Sequence, residues 1–497
     1  MLRKIRKKGM IWVLMGALLL GGCGKAQKET ELPQKEADKT EEAVSGTAEA
    51  SKEEIKQPTQ FSVEDLAEGE KYQITLGCNP NLMPQLLEAA IVDFNKSNQY
   101  YEVVVREYDW QEGQQRLEAD LATGNGPDLF DLSMIYVDKL VRKGLVEDLS
   151  PYLEDGQGME REDIVASVLL CNTKENVLTC IPPRFTVDIM LGKKSLIGEK
   201  SSWTVEDFLK CVENNEGMQI ANSNYNAYNS ELKNRFSIIY TAVYKGIDNF
   251  IDVENNKADF DREEFVNLLT LAKEYQADAF DYESQSNFLT QVQEEKLLLC
   301  FNGITSVSDY MLSQAAVEQE AQFIGFPTYD GSSCYGIRNY ISYGMNVESQ
   351  VKAGAWAFLE FLISYRLSDP MLDSYGFYTS AKALEEQFAE AMEKEYEKDS
   401  NWEVLIGTDG EPVEAPKWNR SDFGEQNKIE AYAAREKDIE NLRAIIDGAS
   451  YAYGLNSNSI YQIVQEEVYH YLGENKSPEE TVSLIQNRVQ LYLDENN

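Results

Sequence analysis

Between Tyr72 and Gly144 the spacing of apolar residues switches repeatedly between two and about 3.6. That alternation constrains the fold more than any other feature of the chain. "YQITLGC" (72–78) reads as a strand. "MPQLLEAAIVDFNKSN" places Leu86, Leu87, Ala90, Ile91 and Phe94 on one helical stripe. "YEVVVREY" (101–108) is a β-branched strand, and "GQQRLEADLATG" (113–124) a helix ending at a glycine. "PDLFDLS" (127–133) is a third short strand, leading into a helix in "MIYVDKLVRKG". Strand–helix–strand order predicts a parallel sheet with right-handed crossovers. Ligands of such sheets sit beyond the carboxyl ends of the strands. Asn79-Pro80, Asp109-Trp110 and Ser133 to Tyr136 are therefore the first places to look.

The alternation continues downstream. "NFIDVENNKADFD" (249–261) predicts a hairpin opening into a helix capped by Asp261, with Glu264 three residues on. Asp252, Glu254, Asn256 and Glu263 half-match a calcium loop, but Lys257 stands where that loop needs glycine, so no metal is assigned. "LLLCFNG" (297–303) reads as a buried strand followed by a helix, "AQFIGFPTYDG" and "YGIRNYISYGMN" as extended segments, and "VKAGAWAFLEFLIS" (351–364) as a helix. Trp203 and Trp356 fall in helical patterns and are assigned to packing. Two helices close the chain, the second opening on Ser477, Pro478 and Glu480: a cap, a proline and a capping-box acid. The 427 residues from Lys71 onward suit two domains better than one core.

Composition removes several functions. A formal charge of −39 argues against nucleic acid and against anionic lipid headgroups as direct partners. The single histidine, His470, and the lack of CxxC pairs exclude most histidine- and thiol-based catalysis and metal chemistry. Cys78, Cys171, Cys180, Cys211, Cys300 and Cys334 are expected as buried thiols, with a Cys171–Cys180 bridge left open. No nucleophile elbow, HExxH, Walker loop or dinucleotide glycine pattern occurs. With 85 acidic residues, a two-carboxylate enzyme acting on surface glycans stays as an alternative.

The first residues carry an address. "RKIRKK" (3–8) precedes an apolar run from Met10 to Leu20, about eleven residues and too short to span a bilayer. This is the pattern of a signal peptide. Its end, Leu20-Gly21-Gly22-Cys23, resembles the lipobox of bacterial lipoproteins, with Gly21 where alanine or serine is commoner. The resemblance implies that residues 1–22 are removed and that Cys23 is lipidated, several acyl chains holding the protein at the membrane. Residues 24–70 are charged and nearly devoid of large apolar side chains, which predicts a disordered tether with a reach of ~40 Å.

The body itself resembles the extracellular solute-binding proteins of ABC importers, the carbohydrate type related to maltose-binding protein. "LATGNGPDLFDLSMIYVDKLVRKGLVEDLSPYL" (121–153), "TCIPPRFTVDIMLGKK" (179–194), "WTVEDFLK" (203–210), "ISYGMN" before "AWAFLEFLIS", and "GENKSPEETVSLIQNRVQLYL" carry the resemblance by their order and spacing. It implies an α/β fold of two lobes, each a mainly parallel sheet flanked by helices, with the ligand cleft between them. The expected lobes are 71–183 plus 338–368, and 184–337 plus 369–497. Crossings are expected near Pro182-Pro183, where paired prolines hold the chain extended, near Arg338 to Ile341, and near Ser368 to Pro370.

A sugar offers a face of C–H groups and a rim of hydroxyls, which aromatic rings, amides, carboxylates and guanidiniums can meet. The candidate ligand-binding residues are Asn79, Asp109, Trp110, Ser133, Tyr136, Arg184, Phe185, Asn302, Tyr340, Tyr343, Tyr453, Asn458 and Tyr461. Where maltose-binding relatives carry a tryptophan after an Asn-Gly, Asn302-Gly303 is followed here by Ile304-Thr305, so malto-oligosaccharides are not supported. The implied partners are a carbohydrate, the permease subunits of an ABC importer, and the membrane through the lipid. A monomer without cofactor, on the extracytoplasmic face, is expected. The alternatives are a receptor for a peptide or polyamine, a sensor or adhesin, and the glycan-acting enzyme.

Overall fold

The alternation that begins at Tyr72 builds a four-stranded sheet in the computed structural model. The structure describes residues 70–109, 112–135, 137–154, 156, 158–221, 230–243, 247–252, 255–275, 288–367, 375–420, 428–453, 459–473 and 476–496, within the unit Pro58–Asn497. The signal peptide, Cys23 and the tether lie outside the described residues, as does the expected crossing at Ser368 to Pro370. Among the described residues no helix is long and apolar enough to cross a membrane.

The first elements are β1 (Tyr72–Cys78), α1 (Gln85–Ser97), β2 (Tyr101–Glu107), α2 (Gly113–Ala122) and β3 (Leu129–Asp131). β1 lies between β2 and β3 and runs parallel to both, in register Tyr72↔Tyr101 and Leu76↔Leu129. α1 buries Leu86, Leu87, Ala90 and Phe94 of the stripe read from the sequence, while Ile91 is only partly buried. Asn98 stops the helix, and its Oδ1 accepts from the amides of Tyr100 and Tyr101, both at 2.9 Å, turning the chain into β2. Asn95 ties the two together, its Nδ2 donating to Val103 O at 2.9 Å.

The chain then passes Pro182-Pro183 and enters β4 (Arg184–Lys193). α3 (Val205–Asn214), β5 (Gln219–Ala221), α4 (Ser230–Val243), α5 (Glu263–Glu274), β6 (Leu297–Ile304), α6 (Val307–Ala316), β7 (Ala321–Ile324) and β8 (Tyr335–Asn339) follow. Next come β9 (Tyr343–Met345), α7 (Lys352–Ser364), β10 (Phe377–Tyr378), α8 (Ala381–Met392), α9 (Glu436–Asp447), β11 (Ala449–Tyr453), α10 (Ser459–Gly473) and α11 (Pro478–Asn496).

The first sheet has the order β9-β3-β1-β2, and the second is seven-stranded, β11-β8-β4-β6-β5, with β7 and β10 also paired to β4. β8 belongs to the second sheet and β9 to the first, so residues 340–342 carry the chain from one to the other. β4 is the spine. Phe185, Val187, Ile189 and Leu191 pack into one apolar cluster, while Met190 packs into another with Trp203 and Phe208.

Two expectations need correction. The second sheet is not mainly parallel: β4 runs antiparallel to β6, β7, β8 and β10, leaving only β5–β6 and β8–β11 parallel. The crossing delivers β4 into the middle of the sheet, and the strands flanking it return in the opposite direction. Asp261 does not cap α5, whose N-cap is Arg262 without a side-chain cap bond. Arg262 instead bonds Asp259, Nε to Oδ2 at 2.7 Å, and that pairing sets the turn one residue later. At the other end of the chain, Ser477 Oγ accepts from Glu480 N at 3.1 Å, with Pro478 first in α11. Trp203 and Trp356 are both buried. The six cysteines of the body are free and buried, which settles the open Cys171–Cys180 question.

Candidate functional site

A cleft of about 310 Å³ opens at the carboxyl ends of β1, β2 and β3, beside the crossing from β8 to β9. Each wall follows from a local sequence device. Asn79 ends β1 and is 7% exposed; its Oδ1 accepts from Asn81 N at 3.0 Å, starting the single turn Pro80–Leu82. That turn brings Leu82 and Pro84 to the rim. Beyond β2, the Tyr108 amide donates to Cys78 O at 2.9 Å, and its fully buried ring directs the hydroxyl to Asp120 at 2.8 Å. Asp109 therefore emerges at the cleft mouth, accepting from Glu112 N at 2.8 Å as α2 begins. Gln114, in the first turn of α2, also lines the wall.

The floor comes from β3 and the crossing. Asp131 Oδ1 accepts from Ser133 N at 2.8 Å, an Asx turn that presents Ser133 and Met134. Tyr343 lies opposite Asp131 in the β3–β9 register and shares a side-chain hydrogen bond with Cys78 beneath the cleft. Tyr340 is held by its amide donating to Arg184 O at 3.0 Å, with its ring 5.1 Å from that of Tyr375. Asn339 Nδ2 donates to Asn172 Oδ1 at 2.7 Å.

Burial sets the protonation here. It pushes the Cys78 thiol up to about 11, raises Tyr343 well above the usual phenol range, and raises the Asp131 carboxyl against the two Ser133 hydrogen bonds that lower it. A thiol and a phenol kept protonated give hydrogen bonds rather than nucleophiles. The site is chemically suited to binding.

Five residues named from the sequence meet in this cleft: Asn79, Asp109, Ser133, Tyr340 and Tyr343. Arg184 and Phe185 do not line it. They begin β4, where Phe185 pairs with both Asn339 and Phe377 and is fully buried. Arg184 is 1% exposed, its guanidinium 3.5 Å from the Tyr378 ring centre. Strand pairing thus draws both into the core directly after the prolines. Tyr461 is half-buried away from the cleft lining, its ring edge-on to Tyr240 at 5.8 Å. Trp110, Tyr136 and Asn458 lie outside the described residues, as do the side chains of Asn302 and Tyr453, whose backbones belong to β6 and β11.

Sequence reasoning passed over Asp131, Gln114, Asn339 and Ser342, all of which line the cleft. Asp131 carried a readable signal, since an Asp two residues before a Ser at a strand end is an Asx-turn pattern. On the second sheet, Asp188 and Arg338 form an ion pair at 3.0 Å, which the sequence did not reveal.

Two sheets joined by chain crossings, with a polar and aromatic cleft at strand ends beside one crossing, define a two-lobed protein with a cleft suited to binding a solute. More particularly, the chain belongs to the family of bacterial extracellular solute-binding proteins, whose model matches residues 89–403, more than half its length. The fold is shared with the sugar-binding protein MalE of the phytopathogen Xanthomonas citri, at 13% identity and a TM-score of 0.52, over 85% of this chain and 98% of that one. The ABC substrate-binding protein Lmo0181 from Listeria monocytogenes, solved with cycloalternan, is similar at 13% identity and a TM-score of 0.47, over 86% of this chain and 100% of that one. No curated protein matches in sequence.

Proposed function

We propose that this protein captures a sugar or oligosaccharide in the cleft at the ends of β1, β2 and β3 and delivers it to the permease of an ABC importer. The carrying observation is the lining. Amide, hydroxyl and carboxylate groups of Asn79, Gln114, Ser133, Asp109 and Asp131 stand beside the apolar surfaces of Leu82, Met134, Ile341 and Tyr340. That mixture answers both the hydroxyl rim and the C–H face of a sugar. The description of MalE as sugar-binding supports the same reading.

In this reading the β9-β3-β1-β2 sheet is the core of one lobe and the seven-stranded sheet that of the other, the chain passing between them at 182–183 and, since β8 runs to Asn339, at 340–342 rather than from Arg338. Solute bound to one lobe gains further contacts on closure, and only that difference in affinity shifts the equilibrium to the closed state. Trp110, Tyr136, Asn302, Tyr453 and Asn458 remain candidate contacts. Lipidated Cys23 and the tether hold this monomer at the extracytoplasmic membrane face, close to its permease.

A thermal-shift screen of the purified protein against mono- and oligosaccharides tests the proposal. A solute at a hundred times its dissociation constant should stabilise the folded state by ~2.7 kcal/mol. Tyr340→Ala should abolish a selective shift. Consumption of a hit into smaller products would instead identify an enzyme. Shifts from peptides or polyamines alone would replace the solute class while leaving the receptor.

A further inference from the structure

The cleft has a sign. Among its thirteen described lining residues two are carboxylates, Asp109 and Asp131, and none is Lys, Arg or His. Cations in its neighbourhood are directed elsewhere. Arg106 pairs with Asp120 at 2.6 Å, and Arg338 with Asp188 at 3.0 Å. Arg184 lies buried against the Tyr378 ring, its charge reaching the cleft only at the Tyr340 phenol and not at Asp131. Cys78 and Tyr343, the titratable groups against Asp131 from β1 and β9, are held protonated by burial and bring no compensating charge. Asp131 receives its hydrogen bonds from the Ser133 amide and hydroxyl, which are neutral donors.

A solute that displaces water from this cleft removes the solvation of these carboxylates and must replace it. A protonated amine replaces it with opposite charge, a hydroxyl with a hydrogen bond, and a carboxylate or phosphate with repulsion. The formal charge of −39 on the whole chain acts in the same direction at longer range.

We infer that the cleft reads the charge of its solute, ranking a protonated amine above a hydroxyl and a hydroxyl above a carboxylate at the position that meets Asp131. The inference rests on the sugar-receptor reading and narrows it to hydroxylated solutes free of anionic groups. Each step in the ranking amounts to at least about fivefold in affinity, the size of one ion contact at 4 Å even in full water screening.

Isothermal titration of the intact protein with matched sets of hexoses and disaccharides tests it. Each sugar is offered as amine, parent and carboxylate at the same carbon, alongside linear polyamines. The expected result is the order amine, parent, carboxylate on the scaffold that binds, with the amine's advantage shrinking as salt rises. Asp131→Asn should collapse the amine's advantage over its own parent sugar to within about twofold, a ratio read separately from any change in the parent's affinity. Asp109→Asn, at the exposed mouth, should trim it partially and gives an independent readout if Asp131→Asn does not fold. A carboxylate form bound as tightly as the parent, or a parent bound more tightly than its amine, overturns the ranking and leaves the sugar receptor standing. Binding of polyamines alone overturns the sugar reading and leaves the preference for a protonated amine standing, and binding of no member of the panel overturns both.

Discussion

Arg338 Nη2 lies 3.0 Å from Asp188 Oδ2, reaching from β8 to its antiparallel neighbour β4. Arg338 Nε approaches the other carboxylate oxygen at 3.3 Å, so the guanidinium is presented as a fork. Two residues later the amide of Tyr340 bonds Arg184 O, where β4 begins. The ion pair and this hydrogen bond thus fix the end of one crossing against the start of another. Asp188 is 13% exposed at its side chain and Arg338 36%, so the pair is screened from one side. Arg338→Ala should cost about 1–2 kcal/mol, less than a fully buried pair, because Asp188 loses its charge partner in a mostly dry site. Arg338→Lys should recover only part of it, a point charge replacing a fork. Urea midpoints of the three proteins check this, and equal midpoints would remove the pair from any role in the crossing.

Gly77 is the tightest backbone position under the cleft. A Cβ there would stand 2.6 Å from Pro127 Cγ and 3.0 Å from Tyr108 Cε2, and Tyr108 is fully buried. The Tyr108 ring is held by its hydroxyl bond to Asp120, and Asp109 at the cleft mouth follows it directly in the chain. Gly77→Ala should destabilise by about 1–3 kcal/mol and weaken solute binding as well. Gly303→Ala is the control, since its Cβ would meet only Asp188 Oδ1 at 3.8 Å. Its stability should stay within about 0.5 kcal/mol of the parent.

How far the sequence carried is visible in these same residues. β1 is found from Tyr72 to Cys78 because a half-polar strand advertises its period, and the residues after it are then cleft candidates by topology alone. Asn79, Asp109 and Ser133 were legible for that reason. β4 was not: a strand buried on both faces shows no alternation, and the prolines before it suggested a crossing rather than ten residues of sheet. Arg184 was misplaced because Tyr378, which covers its guanidinium, lies almost two hundred positions away. Such contacts follow from strand order, which local pattern does not encode. The Arg338–Asp188 pair was hidden for the same reason.

The thiols give a direct check on the core. Burial pushes Cys180 and Cys300 up to about 12 and Cys78 to about 11, and all six body cysteines are free and buried. Thiolate is the reactive form, so both access and ionisation suppress chemistry. In protein lacking Cys23, a disulfide reagent near neutral pH should titrate less than about one thiol natively and six after denaturation. Reductant should leave the melting temperature unchanged. Four thiols after denaturation, or a melting point that falls with reductant, would reveal a bridge that this fold does not contain.

Asp131 supplies a pH test that separates its charge from its shape. Burial raises its carboxyl above the ordinary 3.8, with the Ser133 hydrogen bonds acting against that rise. The folded protein therefore holds this proton more readily than the unfolded chain does. Its contribution to stability is fully present below the unfolded value and is lost as pH rises through the raised folded value. Asp131→Asn keeps an oxygen to accept from the Ser133 amide and has no charge to desolvate. The variant should match the parent in strongly acidic buffer and become the more stable of the two as pH rises through that window, with the difference constant near neutrality. Cys78 and Tyr343 stay protonated across this range, so the profile reports Asp131. Thermal melts of both proteins between about pH 3 and 7 measure it. A gain in stability accompanied by loss of amine preference is what a carboxylate kept for binding should show. A variant destabilised equally at every pH would mean that Asp131 serves only the turn into Ser133.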